Sequence, residues 1–308
     1  MTIGKVIITA ALTGNIHVPS MSPYLPITPQ QIVDEAVRCE GAGAAVVHVH
    51  ARNPKDGRPT TEIEIYREIL CGIKAVADVV VSPTTGGTAS MTPEERIAVV
   101  RELKPEMATF NAGSFNFALY PVLGKIDEFK FPWESKFLES TESFIFANTF
   151  KSMKVFSKTM AEAETKAELE VYDVGQINNL AQIISEGYLK LPVYLQFVLG
   201  ILGGIPANLD NLLFLYNTAK RVIGEFQWSV CAAGRYQFPM GIGNMILGGY
   251  MRVGLEDNLY LSKSVLAKSN ADQVEKAVRL AHELGLDIAS PNDARRMLGL
   301  KGKGKVNY

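Results

Sequence analysis

The stretch AAVVHVHAR, residues 44–52, decides how the chain is read. Its apolar, β-branched run predicts a strand, and in a strand the side chains of residues i and i+2 point to the same side. His48 and His50 therefore project together near the strand's C-terminal end. The chain has only four histidines, His17, His48, His50 and His282. Two of them on one strand face form half of a metal site, or else a hydrogen-bonded pair within the core.

Composition narrows the class of protein. The chain has 308 residues, 47% of them hydrophobic and 20% charged. That supports a large core, and a single α/β barrel domain over residues 1–308 is the simplest organisation. A formal net charge of -1 offers no broad basic field for nucleic acid or an anionic membrane, so small-molecule partners are expected. The start, MTIGKVIITAAL, lacks the build of a signal peptide. The run PVYLQFVLGILGGIP is broken by Gln196 and three glycines, and is too short for a membrane span. Cys39, Cys71 and Cys231 show no paired spacing, which suits reduced thiols and a cytoplasmic location.

Apolar runs recur at 6–12, 44–51, 78–84, 106–112, 168–174, 192–200, 226–233 and 250–256. Helical signals separate them. Thr28-Pro29-Gln30-Gln31 and Thr92-Pro93-Glu94-Glu95 each join an N-cap hydroxyl, a first-turn proline and a capping-box partner. Thr61 to Glu64 and Asn270 to Gln273 repeat the spacing without proline. Eight strands alternating with helices predict a (β/α)8 TIM barrel of the α/β class, with loop insertions at its C-terminal face. An open doubly wound sheet is the competing architecture, but no glycine-rich dinucleotide fingerprint follows the first strand. Two long connections, the proline-rich loop 13–28 and an aromatic-rich insertion at about 113–149 around Trp133, follow strands and belong on the active face. SFIFANTF, 143–150, could form a ninth strand, and is read as part of that insertion or as the lead into the next helix. Residues 300–308, with alternating Lys and Gly, read as a solvated tail.

Glu256 and Asp257 lie where the last strand runs out. Barrel closure pairs last strand with first, bringing Glu256 to the rim occupied by His48 and His50. Two imidazoles and one carboxylate leave a coordination position open, as catalytic sites do. They fit zinc, and also iron, cobalt or manganese. Alternatively, Glu256 and Asp257 cap a helix. Arg252 shares the strand parity of Glu256, and an interior arginine there demands a carboxylate, which Asp257 or Asp173 could supply. Thr84, Thr85, Gly86 and Gly87 form either an anion-binding cradle or an ordinary turn. Thr109 and Asn111 end the fourth strand and add polar groups to the same face. Too few histidines remain for a hydrolase that recruits further imidazoles from later strands.

These residues, together with ALTGN, HVHARNPKDGRPT, TTGG, ATFNAGSFNF, ANTF, ELEVYDVGQI, GGIPA, WSVCAAGRYQFPM and GYMRVGLEDNLYLSK, resemble the β-keto acid cleavage enzymes over nearly the whole chain. The resemblance implies a zinc-binding TIM barrel, homo-oligomeric as a dimer or tetramer. Its implied reaction converts a β-keto acid plus acetyl-CoA into acetoacetate and a new acyl-CoA. It implies His48, His50 and Glu256 as zinc ligands, Asp257 as base, Arg252 and Asp173 as its partners, and Thr84 and Thr109 as substrate-holding hydroxyls. Thr84 stands where members carry serine, and Asp173 where they carry glutamate. Members acting on an amino-bearing substrate place an acidic residue just after the first strand's Thr-Gly. Here Asn15, Ile16 and His17 follow, which implies an uncharged tail. Two other readings use the same residues: a metal-dependent aldolase or lyase that needs no CoA, and a non-catalytic metal-binding barrel.

Overall fold

The first strand, β1 (Ile8–Ala11), lies between the second and the last. Ala10 and Ala11 pair with Val47 and His48 of β2 (Val46–Val49), while Ile8, Thr9 and Ala10 pair with Met251, Arg252 and Val253 of β8 (Tyr250–Val253), all in parallel. This pairing of first strand with last is what a barrel needs and an open doubly wound sheet lacks. The computed structural model describes residues 4–87 and 91–308. Its remaining barrel strands are β3 (Val80–Pro83), β4 (Met107–Asn111), β5 (Lys166–Val171), β6 (Val193–Leu199) and β7 (Phe226–Ala232). Their order around the wall is β3-β2-β1-β8-β7-β6-β5-β4. All eight expected strands are present. The wall is nearly closed: at the seam between β3 and β4 the Thr85 hydroxyl donates to the Thr109 carbonyl at 2.7 Å, and the Thr85 N–H reaches the Thr109 hydroxyl at 3.3 Å.

The wall is wrapped by α1 (Pro29–Ala42), α2 (Ile63–Val76), α3 (Pro93–Leu103), α5 (Phe150–Glu162), α6 (Val174–Ser185), α7 (Leu209–Val222), α8 (Gln237–Ile246) and α9 (Asn270–Glu283). A further helix, α4 (Pro132–Ser140), lies in the 113–149 insertion, and α10 (Pro291–Leu298) closes the bottom of the barrel. Both proline-bearing capping boxes form as the spacing predicts, on Thr28 with Gln31 and on Thr92 with Glu95. The two proline-free ones do not. Glu62 starts α2 without a side-chain cap, and Ser269 with Asp272 caps α9. The Asn270 side chain, relieved of capping, accepts from the Leu255 N–H at 2.8 Å and donates to the Leu12 carbonyl at 3.1 Å, bracing the ends of β1 and β8 against each other. No helix among the described residues is long and apolar enough to cross a membrane.

The barrel interior is layered. Ile7, Val46, Val80, Met107 and Tyr194 fill its lower end, together with Ala294 and Leu298 of α10. Above them the inward positions turn polar, with Ser82, Glu168, Gln196, Ser229 and Arg252 all buried. The 300–308 segment is not the solvated tail expected from its lysines. Lys301 donates to the Ala163 carbonyl at 2.6 Å, Lys303 to the Ala77 carbonyl at 2.8 Å, and Asn307 N–H to the Leu103 carbonyl at 2.9 Å. These carbonyls sit at the C-terminal ends of α5, α2 and α3, where cations and donors satisfy groups that the helix leaves unpaired.

The long loop after β1 is held by Arg52, whose side chain is fully buried. It donates to the Thr13 hydroxyl at 2.8 Å and to the carbonyls of Gly57, Thr13 and His17 at 2.8, 3.0 and 2.8 Å. All four acceptors are uncharged, and burial pulls the guanidinium pKa down to about 10. Arg52→Met fills the space but orphans these acceptors. It is expected to lower stability by about 3 kcal/mol or more while leaving the far-UV spectrum of a barrel intact, as read by urea unfolding.

Candidate active site

The site assembles at the C-terminal rim from β2 and the turn after β8. Strand β8 stops at Val253 because Gly254, at φ 144°, turns the chain where a β-carbon would strike the Ala11 backbone. The Glu256 N–H then donates to the Ala11 carbonyl at 3.1 Å, and the Asp257 N–H to the Gly254 carbonyl at 3.1 Å. Both carboxylates are thus swung inward over the barrel. Gly14, at φ 57°, passes directly beneath Glu256, and any side chain there would collide with that of the glutamate.

His48 Nε2 and His50 Nε2 lie 3.1 Å apart. They face Glu256 Oε2 and Oε1 at 3.5 and 3.3 Å. Donor atoms of the three residues fall within 4.8 Å of one another, and all three residues are buried. Burial lowers the His48 pKa to about 4 despite the adjacent Glu256, so its imidazole is neutral near pH 7. Two buried atoms, His48 Nδ1 and Glu256 Oε2, have no hydrogen-bond partner. Converging imidazole nitrogens beside an unsatisfied carboxylate oxygen fit a divalent cation, and the donor set suits zinc.

Arg252, buried at the floor, organises the carboxylates. Its Nε and Nη2 grip Asp257 Oδ2 and Oδ1 at 2.9 and 3.0 Å, Nη2 also donates to Glu256 Oε1 at 2.7 Å, and Nη1 donates to Gln196 Oε1 at 3.1 Å. Burial disfavours its charge, but Asp257 and Glu256 more than offset this and hold the guanidinium charged. The same pairing, with help from both histidines, outweighs burial at Glu256 and keeps its carboxyl ionised far below the usual range. Asp173, expected beside Arg252, is elsewhere. It is exposed and caps α6, accepting from the Gly175 N–H at 3.2 Å. The acid near Arg252 on the preceding strand is Glu170, 3.6 Å from Nη1. Alternation explains the difference: Glu168 and Glu170 share the inward face of β5, while Asp173 is three residues past Glu170 and beyond the strand's end. The i, i+2 pattern Glu-Leu-Glu carries the same signal as His-Val-His.

The other expected residues divide between the cavity wall and the framework. Thr84, Gly86, Gly87 and Asn111 line a cavity of ≈ 260 Å³ above the cluster of His50 and Glu256. Thr85 and Thr109 instead knit the β3–β4 seam behind it. The Gly86 N–H is taken by the Thr84 hydroxyl at 2.8 Å, so this amide is not presented to an anion. Asn111 donates to Glu170 Oε2 at 2.5 Å and accepts from Arg96 Nη2 at 3.3 Å. Arg96 also donates to the carbonyls of Thr85 and Ala147 and to the Asn148 side chain, at 2.8, 3.1 and 2.7 Å, and packs over the Phe146 and Phe156 rings. It clamps the loop after β3 to the insertion. From the insertion come Phe117, Phe137, Phe144 and Phe146, an aromatic wall over the cavity, joined by Tyr172, Ile16 and Asn15. Trp133 is not in that wall; its indole N–H ties α4 to the Asp56 carbonyl at 3.1 Å. Residues 145–146 pair antiparallel with 115–116 and Thr149 caps α5, so SFIFANTF is a short strand of the insertion that leads into the next helix. Cys231 borders the cavity beside Asp257. His17, left unassigned by sequence, is half-buried, with Nδ1 donating to the Leu255 carbonyl at 2.8 Å.

The chain matches known proteins over nearly its whole length. The beta-keto acid cleavage enzyme family model matches residues 5–300. The chain belongs to this family. It is 44% identical over 305 residues, covering 99% of this chain and 98% of the other, to 3,5-dioxohexanoate:acetyl-CoA acetone transferase of Paraburkholderia graminis. It is 39% identical over 297 residues, covering 96% and 98%, to the 3-keto-5-aminohexanoate cleavage enzyme of Acetoanaerobium sticklandii. Among solved structures, ObcA in complex with oxaloacetate superposes with a TM-score of 0.76 at 18% identity, covering 91% of this chain and 68% of that one, a likeness of fold. The chain is accordingly an enzyme of the acyltransferase type.

Glu168 offers a pH test of the buried polar layer. Burial raises its pKa to about 7, against the pull of Arg252 and the Ser82 hydroxyl. A carboxyl that holds its proton more tightly when folded contributes stability in full below its ordinary range, and loses it as pH rises through about 7. Thermal unfolding between about pH 5 and pH 8 should show Tm falling with pH, and Glu168→Gln should flatten that slope.

Proposed function

We propose that this enzyme is zinc-dependent and condenses a β-keto acid with acetyl-CoA, yielding acetoacetate and a new acyl-CoA. The observation that carries the reading is the floor of the cavity, where His48, His50 and Glu256 converge while Arg252 presents Asp257 beside them. His48, His50 and Glu256 would hold the ion, which when bound supplies Lewis acidity toward the oxygens of a β-keto acid. The polar residues Thr84 and Asn111 line the side of the same cavity and are suited to orient the substrate's carboxylate end.

Asp257 takes a proton from the carbon between the keto and carboxylate groups. Its two oxygens are fixed by the Arg252 fork, so the base is oriented as well as near. The substrate carbanion forms a bond to the acetyl carbon of acetyl-CoA, and the CoA thiolate leaves. That thiolate then attacks the original keto carbon. The bond between that carbon and the acetylated carbon breaks, giving the new acyl-CoA and the acetoacetate carbanion, which recovers the proton from Asp257. Atoms and charge balance without an outside oxidant or acid. Cys231 takes no part, since burial and the nearby Asp257 carboxylate push its thiol pKa well up.

The substrate's tail lies under the aromatic wall. Beyond His50, Glu170, Arg252, Glu256 and Asp257 at the floor, the residues lining the cavity are uncharged, with Asn15 and Ile16 following the Thr13-Gly14 pair. An ammonium in this space would be desolvated without a partner, which is costly. The 44% identical relative is named for 3,5-dioxohexanoate, whose tail is uncharged, and this supports the assignment.

Elemental analysis is expected to find about one zinc per chain, with His48→Ala and His50→Ala losing metal. Asp257→Asn should keep the metal yet stop deuterium exchange at the substrate's α-carbon. Exchange at the parental rate in that variant would remove Asp257 as the base. In a panel of β-keto acids assayed with acetyl-CoA by acetoacetate release, uncharged tails should exceed an amino-bearing tail of equal length in kcat/KM by about tenfold or more. The reverse order would refute the tail assignment.

A further inference from the structure

The reaction proposed above brings two molecules to one carbon, but the aromatic wall encloses the cavity over His50 and Glu256. Beside it runs a second, larger groove of ≈ 810 Å³. The two meet at Ile16, Leu119, Ile201, Ala233 and Asp257, residues that line both. Asp257 is therefore reachable from two sides. One side leads from the enclosed, aromatic compartment and the other from an open channel to the surface.

We propose that this second groove admits the pantetheine arm of acetyl-CoA and delivers its thioester to Asp257. The assignment rests on the function proposed above and names the path of its second substrate. The walls suit a long, thin, uncharged chain. Val122 and Ile126, from the insertion, face Leu202 from the loop after β6. Leu202 is 52% exposed, an apolar surface left open to solvent. At the inner end Gly234 lacks a β-carbon, and one built there would meet no atom within 4 Å. Its N–H donates to the Asp257 carbonyl at 2.8 Å, which locks the end of the groove to the base itself. The outer rim carries Lys125, but Asp127 and Glu128 stand beside it and cancel its attraction for phosphate. The groove thus fits the neutral arm, and the charged nucleotide of CoA lies outside it.

Narrowing the groove away from the floor tests this. Val122 and Ile126 are only partly buried, so Val122→Trp and Ile126→Trp place bulk in the channel with little demand on the core. Each should raise KM for acetyl-CoA and for S-acetyl-pantetheine by the same factor, about tenfold or more. Binding of CoA itself, read by calorimetry, should weaken in parallel. KM for the β-keto acid and its α-proton exchange, which needs no thioester, should stay at parental values and thereby report an intact fold. Unchanged KM for both thioesters would overturn the proposal, as would a rise for acetyl-CoA alone, which would place the nucleotide in the groove. Loss of α-proton exchange in the parental enzyme would count against the acid–base reading, while calorimetry with CoA would still decide the groove.

Discussion

The buried guanidinium of Arg252 is the constraint on which the site depends. A charge in the middle of a barrel is tolerable only when paired and fully hydrogen-bonded, and here Asp257, Glu256 and Gln196 take up its donors. Satisfying it fixes two consecutive carboxylates that would otherwise point in different directions. The turn at Gly254 supplies the backbone for this, and Asn270 braces it from outside. The remaining buried acids respond to the same charge. Glu168 and Glu170 keep pKa values of about 7 and about 8 because burial outweighs the attraction of Arg252. One ionised pair on Arg252 and two acids protonated at or near neutrality keep the interior from accumulating negative charge. Under the proposed function, the single excess carboxylate charge is what a cation beside His48 and His50 would neutralise.

The barrel was legible because its signals are local and repeated. Eight apolar runs, separated by helix starts with hydroxyl, proline and acid or amide at fixed spacing, specify the order of elements without tertiary information. His48 and His50 were legible through strand parity, and Glu256 through the topological fact that last strand meets first. Asp173 misled because it sits in a motif, ELEVYDV, whose strand ends before the aspartate. Counting parity from Glu168 points to Glu170 instead. Thr85 and Thr109 show a different limit. Both are polar and at strand ends, yet the seam between β3 and β4 uses them, because no continuous ladder closes that part of the wall.

What sequence could not show is long-range. The aromatic wall gathers Phe117, Phe137, Phe144 and Phe146 from a region with no periodicity of its own, and only folding brings it over His50 and Glu256. Arg96 carries no motif and lies on a helix, yet it joins the β3 loop, Asn111 and the insertion through buried donors. Lys301 and Lys303 look solvated by composition and are recruited by helix ends.

The fastenings of the insertion that forms the wall include Trp133 to Asp56, Glu134 and Lys130 to Ser20, Ala118 N–H to the Leu202 carbonyl, and Arg96 to Ala147 and Asn148. None of these fastenings involves His48, His50, Glu256, Asp257 or Arg252. The charged cluster rides on β2 and on the turn that ends β8, which the barrel cannot alter without disturbing its closure, whereas the four phenylalanines of the wall ride on one contiguous stretch of chain. Under the proposed function, mutation can therefore rewrite what the enzyme accepts while leaving how it reacts untouched, and a lineage built on this plan can diversify its diet by drift in about forty residues at little risk to turnover.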